Sequence, residues 1–258
     1  SLFMRAYQFV EMVVYHGGMP YITKAQDKDE DDLNVTRTST AECFDLIIKD
    51  LDDAIALLPA KATGNDYGRI DQCFAKAYKA KMLLYKASPQ FNPSNMYDNK
   101  YWNEAYTAAK EAYDFCIAQG IKLTANYADN WLVDGNSEVV FPIIYSNPDK
   151  TANWENTIRP SSLSRSNAGN TPTWDMVKAF PMLDGKRFDD PAGKYYAGAE
   201  SDFLQKFWQN RDPRFEDCIL YNADLYPVSG TASGYRQYTS VGIAVREDSY
   251  GINPNVGS

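Results

Sequence analysis

Residues 39 to 59, STAECFDLIIKDLDDAIALLP, admit one local structure and through it constrain the rest of the chain. Ser39 and Glu42 make a capping box, Pro59 closes the run, and Phe44, Ile47, Ile48, Leu51, Ile55 and Leu58 recur at helical spacing. Such a helix holds in water only if other elements cover its apolar stripe. Asp45, Lys49, Asp52 and Asp53 fall on the opposite face, so these carboxylates are expected in solvent and not as an acid pair.

Three further helical segments offer that cover. In the first, Phe3, Tyr7, Val10 and Val14 share a face, and Gly17, Gly18 and Pro20 stop the helix. His16, the sole histidine of the chain, falls in the last turn, where an imidazole interacts with the free carbonyls and the negative end of the helix dipole. It reads as helix punctuation and not as a catalytic base. Residues 71 to 88 form a third helix that is apolar or small on most sides, with Phe74, Ala77, Tyr78, Met82, Leu83, Leu84 and Tyr85. The fourth, 101 to 120, has Trp102, Ala105, Tyr106, Ala109, Ala112, Tyr113 and Cys116 on one face and Gly120 as its stop. Together they predict a mainly α fold of stacked, tetratricopeptide-like helical hairpins, with Phe44, Ile47, Leu51 and Ile55 buried against the helices around Tyr78 and Tyr106.

Beyond Gly120 the character changes. Asn, Ser, Gly, Pro and Asp dominate, and helical periodicity survives only near 173 to 180 and 200 to 208. The sequence thus divides into a helical scaffold, 1–120, and a loop-rich, irregular, ligand-facing part of the same domain, 121–258, with short strands. EVVFPIIY reads as a short buried strand, and Asp184-Gly185 as a tight turn.

Composition then removes several function classes. A net charge of −8 with no cluster of Lys and Arg argues against a nucleic-acid partner. Cys43, Cys73, Cys116 and Cys218 form no CxxC pair and read as buried thiols. With one histidine, a transition-metal site has too few ligands. QDKDEDDLN begins like a calcium loop at Asp27, Asp29 and Asp31, but the glycine position is Asp32 and the bidentate glutamate position is Thr38. No cofactor and no metal are expected. The longest apolar run, EVVFPIIY, is too short to span a bilayer and is broken by Pro142. The chain opens inside a helix and reads as a fragment, so it carries no information on targeting.

The order of segments is itself a signature. RAYQFVEMVVYHGGMPYIT, YGRIDQCFAKAYKAKMLLYKASPQFN, YWNEAYTAAKEAYDF, NSEVVFPIIY, WDMVKAFPMLDGKRFDD and NRDPRF, in that order, resemble the SusD/RagB family of outer-membrane glycan-binding lipoproteins, over about residues 2 to 220. The resemblance implies tetratricopeptide-like helices that act as a scaffold, irregular loops that supply the ligand surface, and a place on the surface of Bacteroidetes cells. It also implies a partner, a TonB-dependent SusC-like outer-membrane transporter over which such proteins act as a lid. Membrane attachment would come only through a lipidated N-terminal cysteine, which this chain does not contain.

Noncatalytic capture of an oligosaccharide is therefore the function expected. Sugar rings lay their C–H faces on Trp or Tyr, while hydroxyls pair with Asn, Asp and Arg, and 14% of the chain is aromatic, with 19 Tyr and 5 Trp. The candidate glycan-binding residues are Tyr145, Asn147, Asn153, Trp154 and Asn156 in YSNPDKTANWEN, with Tyr195 in GKYYAGAE. Trp154 is the expected stacking platform, although a tryptophan in such a loop can equally pack beneath it. Tyr195 and Tyr196 could line a rim or cover the core; Trp102 and Trp208 fit helix seams and core, and Trp131 and Trp174 fit either role. Two alternatives remain: a glycoside hydrolase, since 34 acidic residues allow two carboxylates to flank a bond, and a helical-repeat module that grips a peptide.

Overall fold

The helix announced by Ser39 runs from Thr40 to Ile55, with the Ser39 hydroxyl accepting from the Glu42 amide at 3.2 Å. It is α2 of a computed structural model that describes residues 1–146, 148–152, 170–222, 224–228 and 231–237. Helix α1 spans Leu2–His16, α3 Gln72–Ala87 and α4 Tyr101–Ala118. A short 3-10 turn, Gly64–Asp66, lies between α2 and α3. Each of the four long helices packs on the next in sequence. With the segment Val133–Ile144 they make one compact unit, Ser1–Ala125 and Val133–Ile144.

Its core forms where the stripes meet. Phe44, Ile47 and Leu51 of α2 have no exposed surface and lie among Phe3, Ala6, Phe9, Val10 and Val13 of α1 and Ala75 and Met82 of α3. Tyr78 packs against this cluster as expected. Tyr106 does not: it is 69% exposed, and Tyr113 is exposed as well. The buried face of α4 is instead Ala105, Ala112 and Cys116, because small side chains let the α4 backbone close on α3 and leave the tyrosines on the far side.

Helix ends follow the local chemistry. Gly17 has φ 73°, and its amide caps Val13 O at 2.9 Å. At Gly18 a Cβ would lie 2.1 Å from the Thr38 carbonyl oxygen, so only glycine lets the two segments meet. Arg37 completes the stop: its guanidinium donates to the His16 carbonyl at 2.6 Å and also to the Gly18 carbonyl. His16 itself is exposed at the helix end, as punctuation should be. Asp71 caps α3 through the Phe74 amide at 2.9 Å and also receives the Ala62 amide at 3.0 Å.

The second unit, Asn126–Leu132 with Tyr145–Ser258, holds four short helices and a hairpin among its described residues. These are α5 (Asp129–Leu132), α6 (Trp174–Ala179), α7 (Glu200–Leu204), α8 (Pro213–Cys218), β1 (Asp224–Val228) and β2 (Thr231–Gln237). The strands pair antiparallel, Asp224 with Gln237 and Val228 with Thr231, and the register slips between Tyr226 and Val228 around Pro227, which has no amide to donate. Two ring clusters form the core here. One holds Met182, Phe188, Ala197 and Phe203, the other Val177, Phe215 and Ile219, and Trp174 and Phe207 pack against both.

The motif NRDPRF places one residue after another in this core. Asn210 adopts φ 54°, Asp212 caps α8, Pro213 opens it and Phe215 is fully buried. Arg211 is buried too. Its Nη2 donates to the carbonyls of Val177 (2.6 Å) and Phe180 (2.8 Å), and the guanidinium lies 4.4 Å from the Phe215 ring centroid. It thereby closes the C-terminal end of α6 without a carboxylate partner among the described residues, and burial pushes its pKa down.

Two further expectations need correction. EVVFPIIY is not a strand: Pro142 interrupts its donors, no described strand pairs with it, and Ile143 and Ile144 are exposed. It is held instead by the Asn136 side chain, which accepts from the amides of Glu138 and Val139, and by Phe141 stacked on Phe74 at 4.2 Å. The four thiols are free, but only Cys43, Cys73 and Cys116 are buried, since Cys218 ends α8 on its open side. Gly185 makes the expected turn, its amide bonding Met182 O at 2.8 Å. Among the described residues no helix is long and apolar enough to cross a membrane.

Candidate functional site

Tyr145 is the candidate best placed by its surroundings. It follows the irregular 136–144 segment, is half exposed, and has the Lys150 ammonium 5.2 Å from its ring centroid. Directly after it, Ser146 and Lys150 exchange two backbone hydrogen bonds of 2.8 Å. Asn147, Asn153, Trp154 and Asn156 lie outside the described residues.

Tyr195 is half-buried and packs on the Met182, Phe188, Ala197 and Phe203 cluster, with Lys194 Nζ 5.1 Å from its ring centroid. Tyr196, its neighbour, is the more exposed of the two. Among the described residues no ring contact joins Tyr145 to Tyr195. The remaining tryptophans sort clearly. Trp174 and Trp208 belong to the ring clusters, Trp174 donating its indole N–H to Glu200 at 2.9 Å and Trp208 stacking on Tyr221. Trp102 is half-buried and bonds the Met96 carbonyl. Trp131 stands out, 75% exposed, with Tyr127 edge-on to it at 6.5 Å. Sequence reasoning left Trp131 undecided; the available signal was the spacing of four between Tyr127 and Trp131 in an otherwise polar stretch.

Several carboxylates among the described residues are held in the charged form. Burial alone would raise the Asp50 pKa, but the hydrogen bonds from Arg5 and Tyr21 outweigh it and hold the carboxylate below its usual range. Asp31, Asp189, Glu200 and Asp212 are likewise lowered, each chiefly by hydrogen bonds from a neighbouring side chain. Asp184 is lowered although desolvation opposes it, through the amides of Lys186 and Lys194. A glycosidase acid needs the opposite shift. Asp27, Asp29 and Asp31 form no cation site: Asp31 is engaged by Lys24 (2.7 Å) and the Asp27 amide, and Asp27 by the Asp29 amide. Among the described residues no group of His, Cys, Asp and Glu is arranged to hold a metal.

Comparison with known proteins agrees with this architecture. Residues 1–84 match the family model SusD-like_3, described as starch-binding and associating with the outer membrane, and residues 137–257 match the SusD family model. A SusD-like protein from Bacteroides fragilis NCTC 9343 superposes with a TM-score of 0.67 at 25% identity, over 87% of this chain and 42% of that one. A SusD-like carbohydrate binding protein of the same strain gives 0.66 at 21% identity, over 95% and 43%. BT4246 gives 0.72 at 19% identity, over 99% and 53%. The chain thus spans about half the length, or less, of these solved structures. No curated protein matches its sequence at a significant level. The fold is the mainly helical one of SusD-like proteins. With two models of one family matching in order along it, the chain belongs to the SusD/RagB family.

Proposed function

We propose that this protein binds oligosaccharide or polysaccharide at the cell surface without cleaving it and passes it to a TonB-dependent, SusC-like outer-membrane transporter, the whole held to the membrane by a lipid anchor. The observation that carries this reading is family membership from both ends of the chain, residues 1–84 and 137–257. The proposed glycan-binding residues are Trp154, as stacking platform, with Tyr145, Asn147, Asn153, Asn156 and Tyr195.

Trp154→Ala tests the site. Isothermal titration of wild type and variant with an oligosaccharide that binds the wild type, alongside circular dichroism, should show an intact fold. Affinity should fall several-fold to roughly tenfold, the loss expected when one aromatic platform is removed. Equal affinities, or a variant that unfolds, would place the sugar elsewhere and Trp154 in the packing of its own loop.

A further inference from the structure

Cys73 and Cys116 stand 43 positions apart, and the fold brings them to one place. Cys73 lies in the first turn of α3 and Cys116 in the last turn of α4, and these helices pack on each other. Both thiols are buried in one small cluster with Ile121, against which Phe115 and Val140 pack. The Cys116 thiol donates to the Cys73 carbonyl at 3.8 Å, and the two thiols are hydrogen-bond partners of each other.

Small side chains make this approach possible, since α4 buries Ala105, Ala112 and Cys116. A disulfide needs Cα atoms about 4.4–6.8 Å apart, a spacing open to helices that meet through alanine and cysteine. The other two thiols lie elsewhere. Cys43 is buried in the separate core of α1, α2 and α3, where it donates to the Met19 carbonyl at 3.4 Å, and Cys218 is exposed at the end of α8 in the second unit.

We propose that Cys73 and Cys116 are a disulfide-forming pair that locks the start of α3 to the end of α4. Their two S–H bonds break and one S–S bond forms. The two protons and two electrons pass to an oxidising protein or small-molecule disulfide, whose own S–S bond breaks to give two thiols. Burial sets when this happens. It pushes the Cys73 thiol pKa up to about 12 and raises that of Cys116, so the folded protein offers little of the thiolate that exchange requires. The bond therefore forms while the chain folds, before α4 closes on α3, and is shielded from reductants afterwards. It fastens a junction of three segments, where the Cys73 thiol also donates to the Ala60 carbonyl at 3.5 Å and Lys61 Nζ to the Gln119 carbonyl at 3.4 Å. Oxidising surroundings of the kind found at a cell surface suit such a bond.

The test refolds the reduced, unfolded chain in dilute solution, either with a mixture of oxidised and reduced glutathione or with dithiothreitol. Each sample is then unfolded in guanidinium with iodoacetamide and digested with trypsin without reduction. Mass spectrometry should find peptides 70–76 and 111–122, which carry Cys73 and Cys116, joined after refolding in glutathione and separate after dithiothreitol. Because the bond constrains a long stretch of the unfolded chain, the linked form should melt about 10 °C above the reduced form. Cys73→Ala combined with Cys116→Ala should remove that difference. Unlinked peptides after glutathione, or a link from either one to Cys43 or Cys218, overturns the proposal and leaves the two thiols as small core groups. Should the double variant fail to fold, the wild-type peptide map and melting curves decide, and equal melting of linked and reduced protein overturns the lock.

Discussion

Asp50 shows how much a single side chain can carry out of sight of any motif. It lies on α2 one position after Lys49, in a stretch whose other acids face solvent, yet it is buried and binds three groups. Arg5 donates to it twice at 2.6 Å, and the Tyr21 hydroxyl once at 2.8 Å. Desolvation drives the Tyr21 pKa upward, and the Asp50 charge adds to that shift. Because the Asp50 pKa is lowered in the folded state, its stabilisation is complete above the unfolded value near 3.9 and is lost as pH falls through the folded value. Urea unfolding from pH 7 down to about pH 2 should therefore show wild-type stability dropping in the acid range. Asp50→Asn should flatten that drop and cost about 1–3 kcal/mol at neutral pH, as Arg5 and Tyr21 lose a charged acceptor. An unchanged acid limb in the variant would assign the pH dependence to other carboxylates.

At the scale of elements, faces decide. The α2 stripe was legible because Ser39, Glu42 and the spacing of Phe44, Ile47 and Leu51 act within one helix. Leu51→Ala should cost roughly 2–5 kcal/mol, since the vacated space lies in a closed cluster. Tyr106→Ala, on the exposed side of α4, should change stability by less than about 0.5 kcal/mol. Chemical denaturation of the two variants side by side checks both, and a large loss at Tyr106 would mean that its face is covered. Asp45 and Asp52 are in solvent as expected, but they are also ion-paired, with Lys86 at 2.5 Å and Lys79 at 2.6 Å, so the polar edge of α2 is tied to α3. Partly exposed pairs of this kind contribute little each.

For the molecule as a whole, the reading as a binder predicts that incubation with oligosaccharides leaves them intact. Assay of reducing ends after prolonged incubation should stay at the level of the buffer blank, and steady release would establish a hydrolase. The positions of the four long helices, the Ser39 cap, the Gly17-Gly18 stop, the Gly185 turn and the family were all available from the sequence. Each rests on groups within about four residues of one another or on the order of motifs. Burial rests on which distant segments meet. Arg5 reaches Asp50 across 45 positions, the alanines and not the tyrosines of α4 face α3, and Arg211 finds the carbonyl of Val177 34 positions away. Trp131 and Trp174 look alike in sequence, yet one is clustered with Phe203 and Phe207 and the other stands in solvent. Local hydrogen bonding and periodicity determine where a helix begins and ends, whereas exposure is a property of the neighbours, and only the tertiary structure supplies those.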